Sequence, residues 1–163
     1  MTSTITNDVE LVPMAGIGVG RDGVLRTLLG SCIGVVLYEK RMKLAGLAHV
    51  VMPDSMGRNN ALGKYADTAI PEMIRRMSRV AGIQRLELVA KIAGGANMFA
   101  QVSPVTVKSI GEQNRNAVEK VLNSLNIPIV ARHVGGTSGR NLFVQVSTGT
   151  TQIQIVGQPV IEI

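Results

Sequence analysis

Apolar positions along the chain follow two rhythms. Residues 9–14, 24–29, 32–38 and 43–52 are short runs rich in Val, Leu and Ile, bounded by Gly or charged residues, and they predict strands. Pro53 ends the fourth run, and PDSMGRNNALGK (53–64) has the composition of a loop. The spacing then changes, with Ile70, Met73, Ile74, Met77 and Val80 recurring at helical intervals. Asp67 or Thr68 is placed to cap this helix, Pro71 fits only its first turn, and Gly82 ends it. A strand over 85–92 follows, then the tight loop AGGANMF. Ser109 and Glu112 form a capping box that opens a second helix. Its inner stripe runs through Ile110, Asn114, Ala117, Val118, Val121 and Leu125, with the asparagine as the one polar member. Strands at 127–134, 141–147 and 150–156, with the loop GGTSGR at 135–140, complete the pattern. Two helices among about eight strands cannot build a regular βαβ array, so the predicted class is α+β in layers.

The length of 163 residues is that of one domain, 1–163, with a real core. With no Trp, two Phe and two Tyr, that core must be aliphatic. A single cysteine excludes an intrachain disulfide, and with only two distant histidines it argues against a tight zinc site. No metal or organic cofactor is expected. Sparse cysteine fits a reducing compartment. MTSTITNDVE lacks the basic start and apolar stretch of a secretory signal, and no run nears the roughly 20 apolar residues that span a bilayer. The expected setting is the cytoplasm, without membrane insertion.

The net charge of +6 raises the question of nucleic acid. The basic residues are scattered, however, with IRRMSR (74–79) the densest cluster, and aromatic residues for stacking on bases are nearly absent. A basic surface without a nucleic-acid ligand is the expectation, and it is compatible with an acidic protein partner. GVGRDG (18–23) matches G-x-G-x-x-G, but a β-like run follows it where a dinucleotide site needs a helix. GGTSGR lacks the Lys-Ser/Thr ending of a phosphate loop and reads as a turn.

The only thiol sits in RTLLGSCIGVV, at the mouth of an apolar run. Buried free cysteines usually pack as small hydrophobes. A nucleophile would need a base, an orienting group and a substrate. If Lys40 and Arg41 form a two-residue hairpin loop, facing residues have numbers that sum to 81, which sets Cys32 opposite His49. Directly opposed residues share a face, with Cβ atoms about 4.5–5.5 Å apart. Lys-Arg is a poor type I′ pair, so the loop is the weak point of this register. An imidazole beside a thiol accepts its proton, and an imidazolium lowers the thiol pKa. Gly30 permits a sharp turn and close approach of a substrate chain, and the N–H groups at Ser31 and Cys32 are candidates for stabilising an oxyanion. A third group should hold the imidazole in its useful tautomer, and Thr27, Ser31 and Asp54 have the right chemistry. His133, in VARHVGG, has no comparable relation to Cys32 and reads as structural. Met98 and Phe99 are either apolar walls of a substrate site or core residues.

LLGSCIGVVLY, AGLAHVVMPDS, GKYADTAI, AKIAGGANMF and GGTSGRNLF, in that order between residues 24 and 150, resemble the CheD family of chemoreceptor glutamine deamidases. The resemblance implies a Cys–His–Thr triad, with Cys32 of GSC as nucleophile, His49 of AHV as base and Thr27 as third member. It implies a layered α/β sandwich similar to glutamine-deamidating bacterial toxins. It also implies hydrolysis of receptor glutamine side chains to glutamate through a thioester, in chemotaxis adaptation. Chemoreceptor cytoplasmic domains would be the substrate, and a CheC-type phosphatase a possible partner. A non-catalytic regulator that binds such a phosphatase or a receptor is the alternative.

Overall fold

In strands β4 (Ile33–Glu39) and β5 (Leu44–Val50) almost every residue is buried, whereas β3 (Val24–Leu29) is buried at every second residue. A strand with near-continuous burial has both faces covered, and one that alternates has one face in water. The computed structural model, which describes residues 8–100 and 108–163, shows how this arises. The other elements are β1 (Val9–Leu11), β2 (Ile17–Gly20), α1 (Ala66–Ala81), β6 (Val89–Gly94), α2 (Ile110–Ser124), β7 (Ile129–Val134), β8 (Arg140–Gln145), β9 (Thr151–Gln154) and β10 (Ile161–Glu162). They form two mixed five-stranded sheets, ordered β1-β3-β8-β9-β10 and β2-β5-β4-β6-β7. Pairing is antiparallel except for β1 with β3 and β6 with β7.

One face of the second sheet packs under the helices, where Ile33, Val35, Leu37, Leu44, Ala48 and Val50 meet Ile70, Met73, Met77, Val118 and Leu122. The other face packs on the first sheet, where Cys32, Val36, Ala45 and Leu47 meet Leu25, Leu29, Leu142 and Val144. The layers are therefore helices, sheet, sheet, an α+β architecture. Each buried Leu or Ile in these layers contributes roughly 1.5–3 kcal/mol. Helix α1 lies so close to β5 that a side chain on Gly46 would strike Met73, with its Sδ 2.8 Å from the Cβ position. No helix among the described residues is long and apolar enough to cross a membrane.

Several sequence expectations need correction. The run at 9–14 ends as β1 at Leu11, and the glycine-rich stretch after it supplies β2, so the G-x-G-x-x-G match begins inside a strand. Of the first ten residues, whose composition argued against a secretory signal, 1–7 lie outside the described ones. Tyr65, not Asp67 or Thr68, is the N-cap of α1, which puts Pro71 in the second turn. The two expected caps have other partners: Asp67 accepts from Ser55 N and Oγ, and Thr68 Oγ1 donates to Leu62 O. Ser109 does cap α2, its hydroxyl accepting from Glu112 N at 3.2 Å. The buried stripe of that helix is Gly111, Asn114, Val118 and Leu122, while Ile110 and Leu125 are exposed.

The β4–β5 register also differs. The loop holds four residues, 40–43, and facing numbers sum to 83, so Gly34 rather than Cys32 stands opposite His49. A two-residue type I′ loop needs two left-handed residues, which Lys-Arg does not favour. The longer loop needs one, Lys43 at φ 49°. Buried Glu39 secures the turn by accepting from Arg41 N at 3.1 Å.

Candidate active site

The register change leaves Cys32 one diagonal step from the residue facing His49, on the same face of the sheet, since side chains alternate with period two. Cβ atoms across such a diagonal lie within roughly 7–8 Å, in reach of longer side chains. Gly34 puts no side chain across from the imidazole, and Leu29 and Leu142 fill that space.

From the opposite sheet, β3 turns Leu25, Thr27 and Leu29 inward and leaves Arg26 and Leu28 exposed. Arg26 lies over the Phe143 ring at 5.8 Å. Thr27 Oγ1 stands 2.7 Å from His49 Nδ1 and donates its proton to Val12 O, also at 2.7 Å. A hydroxyl has one proton to give, so with Val12 taking it, Thr27 must accept from His49 Nδ1–H. The ring is thereby fixed in the tautomer whose Nε2 carries a free lone pair. Nε2 is buried and has no partner among the described residues. Exposure falls from 9% at Cys32 to 3% at His49 and 0% at Thr27, so the three are ordered from the rim inward. On the β2 side of β5, the residues leading into β2 extend the pairing past Ala48, His49 N donating to Gly16 O and Ala15 N to His49 O, each at 3.0 Å.

Burial pushes the Cys32 thiol above its ordinary value and the His49 imidazole below its own. Burial thus works against a resting imidazolium–thiolate pair. What the arrangement offers is a thiol at the rim of the inter-sheet layer and, deeper on the same side, a buried imidazole with an unpaired Nε2.

The other candidates have separate surroundings. Gly30 does not adopt a left-handed backbone, so the turn does not require glycine. Its bare surface faces Met98, whose Cγ would lie 3.8 Å from a Cβ there. Met98 is half exposed and Phe99 more so, which removes the reading of both as core residues. Ser31 is used through its carbonyl, which accepts from Asn114 Nδ2 at 3.1 Å. Asp54 instead holds Met56 N in an exposed loop. His133 Nδ1 meets Arg140 at 2.9 Å. Sequence reasoning missed Asn114, Val12 and the backbone of 94–96. For Asn114 the available signal was a polar residue inside an apolar helical stripe. Gly94 adopts φ 105°, and a Cβ on it would collide with the Cys32 carbonyl oxygen.

Two mutations probe these supports. Thr27→Val keeps the shape but lets the imidazole change tautomer. A drop in kcat of about ten- to hundredfold with little change in KM is expected, measured by steady-state kinetics. Gly94→Ala combines backbone strain with the collision. It should destabilise by about 2 kcal/mol or more, seen as a melting temperature lower by at least about 5 °C.

The fold and site define a two-sheet, two-helix protein whose lone thiol lies at the rim of the inter-sheet layer and whose buried histidine is anchored by a threonine. Residues 51–155 match the model of the family described as CheD, CheD chemotactic sensory transduction. The chain is similar to the "Chemoreceptor glutamine deamidase CheD" of Halalkalibacterium halodurans, 42% identical over 157 residues, covering 93% of this chain and 96% of that one. It is likewise similar to the "Probable chemoreceptor glutamine deamidase CheD" of Clostridium botulinum strain Eklund 17B, 44% identical over 137 residues, covering 83% and 84%. This chain belongs to the CheD family.

Proposed function

We propose that this protein hydrolyses the side-chain amide of specific glutamines on chemoreceptor cytoplasmic domains, leaving glutamate, with Cys32, His49 and Thr27 as its triad. The observation that carries the reading is the Thr27–His49 hydrogen bond, which leaves Nε2 unpaired in the layer that holds the only cysteine.

In the first half-reaction Cys32 Sγ bonds to the carboxamide carbon while its proton passes to His49 Nε2. That proton then goes to the departing nitrogen, the C–N bond breaks, ammonia leaves and a thioester remains. In the second, water gives a proton to Nε2, its oxygen bonds to the carbonyl carbon, and the C–S bond breaks. The proton returns to the sulfur and the product is a glutamate. Met98 and Phe99 supply apolar contacts at the rim, and the chemistry asks for neither metal nor organic cofactor. Each turnover adds one negative charge to the receptor surface, altering repulsion within a helical bundle and creating a carboxylate that can be methylated. The action is cytoplasmic, a CheC-type phosphatase is a candidate partner, and a fold like that of glutamine-deamidating toxin domains belongs to the same reading.

The test incubates the purified protein with receptor cytoplasmic fragments and follows intact mass. A gain of about 1 Da per site is expected, because hydrolysis exchanges NH2 for OH. Chain cleavage would indicate a protease instead, and receptor binding without any mass change would overturn the enzyme reading.

A further inference from the structure

The turn that carries Cys32 is anchored through three successive carbonyls. Gly30 O accepts from Ala96 N at 3.0 Å and Cys32 O from Gly95 N at 2.9 Å. Ser31 O, between them, accepts from Asn114 Nδ2. The same nitrogen donates to Val51 O at 3.0 Å, two residues beyond His49. One amide group on α2 thus ties the residue before the thiol to the end of the strand that bears the imidazole. Asn114 is fully buried, and its Oδ1 has no partner among the described residues. An unpaired buried acceptor costs on the order of 1–3 kcal/mol. The neighbouring stripe positions, Val118 and Leu122, are filled by apolar side chains, so packing alone does not call for an amide here.

Peptide geometry says what the amide accomplishes. The described chain contains no cis peptide, and in a trans unit the C=O of one residue and the N–H of the next point in opposite directions. The Ser31 carbonyl points to α2, on the helix-covered side of the second sheet. The Cys32 N–H therefore points away from the helices, toward the layer between the sheets where the Cys32 side chain packs. Among the described residues that N–H donates to no other group. A fixed N–H on the same side as the attacking sulfur is what a tetrahedral intermediate needs at its negative oxygen.

We propose that Asn114 is a positioning residue: by holding the Ser31 carbonyl it aims the Cys32 N–H at the oxyanion formed during attack. This rests on Cys32 being the nucleophile. The test compares two reactions of the full-length protein at that thiol. A peptide whose glutamine carboxamide is replaced by an aldehyde adds the sulfur to its carbonyl carbon, the thiol proton ending on the oxygen, which then occupies the oxyanion position. Iodoacetamide alkylates the same sulfur by displacing iodide and forms no oxyanion. Asn114→Leu should weaken aldehyde binding and lower kcat about a hundredfold. KM, the alkylation rate and its pH profile should change by no more than about twofold, since a merely structural loss would move them all together.

On the wild-type protein, aldehyde binding should shift the Cys32 amide proton downfield in a 15N-resolved NMR spectrum. This measurement decides the matter even if Asn114→Leu does not fold. Unchanged aldehyde affinity in the variant, parallel loss of both reactions in a folded variant, or an unshifted Cys32 amide would overturn the proposal. A wild-type thiol inert to both reagents would overturn the nucleophile reading beneath it as well.

Discussion

Cys32→Ala is expected to abolish the mass gain on receptor fragments, lowering the rate by at least about a thousandfold, because the chain has no other cysteine to form the thioester. The fold should tolerate the change. Cys32 sits at the edge of the inter-sheet core with 9% of its surface exposed, and losing one sulfur from such a site costs about 1 kcal/mol. Thermal melting measured beside activity separates chemistry from unfolding: the melting temperature should stay within a few degrees of wild type while deamidation disappears. Cys32→Ser should be nearly as inactive, since a hydroxyl is a far weaker nucleophile at neutral pH. Deamidation that survives in the alanine variant would end the triad model.

His49→Gln should lower kcat by about 10²–10⁴-fold, the usual contribution of a positioned base. The pH dependence distinguishes this from a packing defect. In the wild type, burial holds the imidazole below its ordinary range, so Nε2 stays unprotonated through mildly acidic pH. Activity should therefore be flat near neutrality and fall only when the solution becomes acidic enough to protonate that nitrogen, which can then no longer take the thiol proton. The variant has no base, and its residual activity must come from pre-formed thiolate. Burial pushes the thiol upward, so that activity should keep rising with pH into the alkaline range where the wild type has levelled off. Rates measured across the pH range with both proteins check this. An acidic limb that persists in the glutamine variant would assign the titration to another group.

The layering was partly legible before any coordinates. The unbroken apolar runs of β4 and β5 mark strands covered on both faces, and Ser109 with Glu112 marks the start of α2. The register of Cys32 against His49 was misread, but in a way that keeps the face. The loop was expected to hold two residues and holds four, which moves the partner of Cys32 from 49 to 51. Strand side chains repeat every second residue, so a shift of two preserves the face even though the direct opposition is lost. The start of α1 was misplaced because Asp67 and Thr68 have capping chemistry but spend it on Ser55 and Leu62, neighbours that only the folded chain brings near.

What the amino-acid order determined by itself is local: strand and helix periods, the helix cap, and a solitary thiol and a histidine on one sheet face. These follow from backbone geometry and side-chain alternation within a few residues. What only the tertiary structure decided is every contact made between layers. Thr27 rather than Arg26 faces His49 because the first sheet packs that side of β3 against the second. The tautomer of His49 depends on Val12, 37 residues earlier, taking the threonine proton. The burial that pushes the thiol up and the imidazole down, and the reach of Asn114 from α2 to Ser31 and Val51, likewise require the layers to be closed. Desolvation and long-range hydrogen bonds depend on what surrounds a group in space, and sequence separation carries no measure of that.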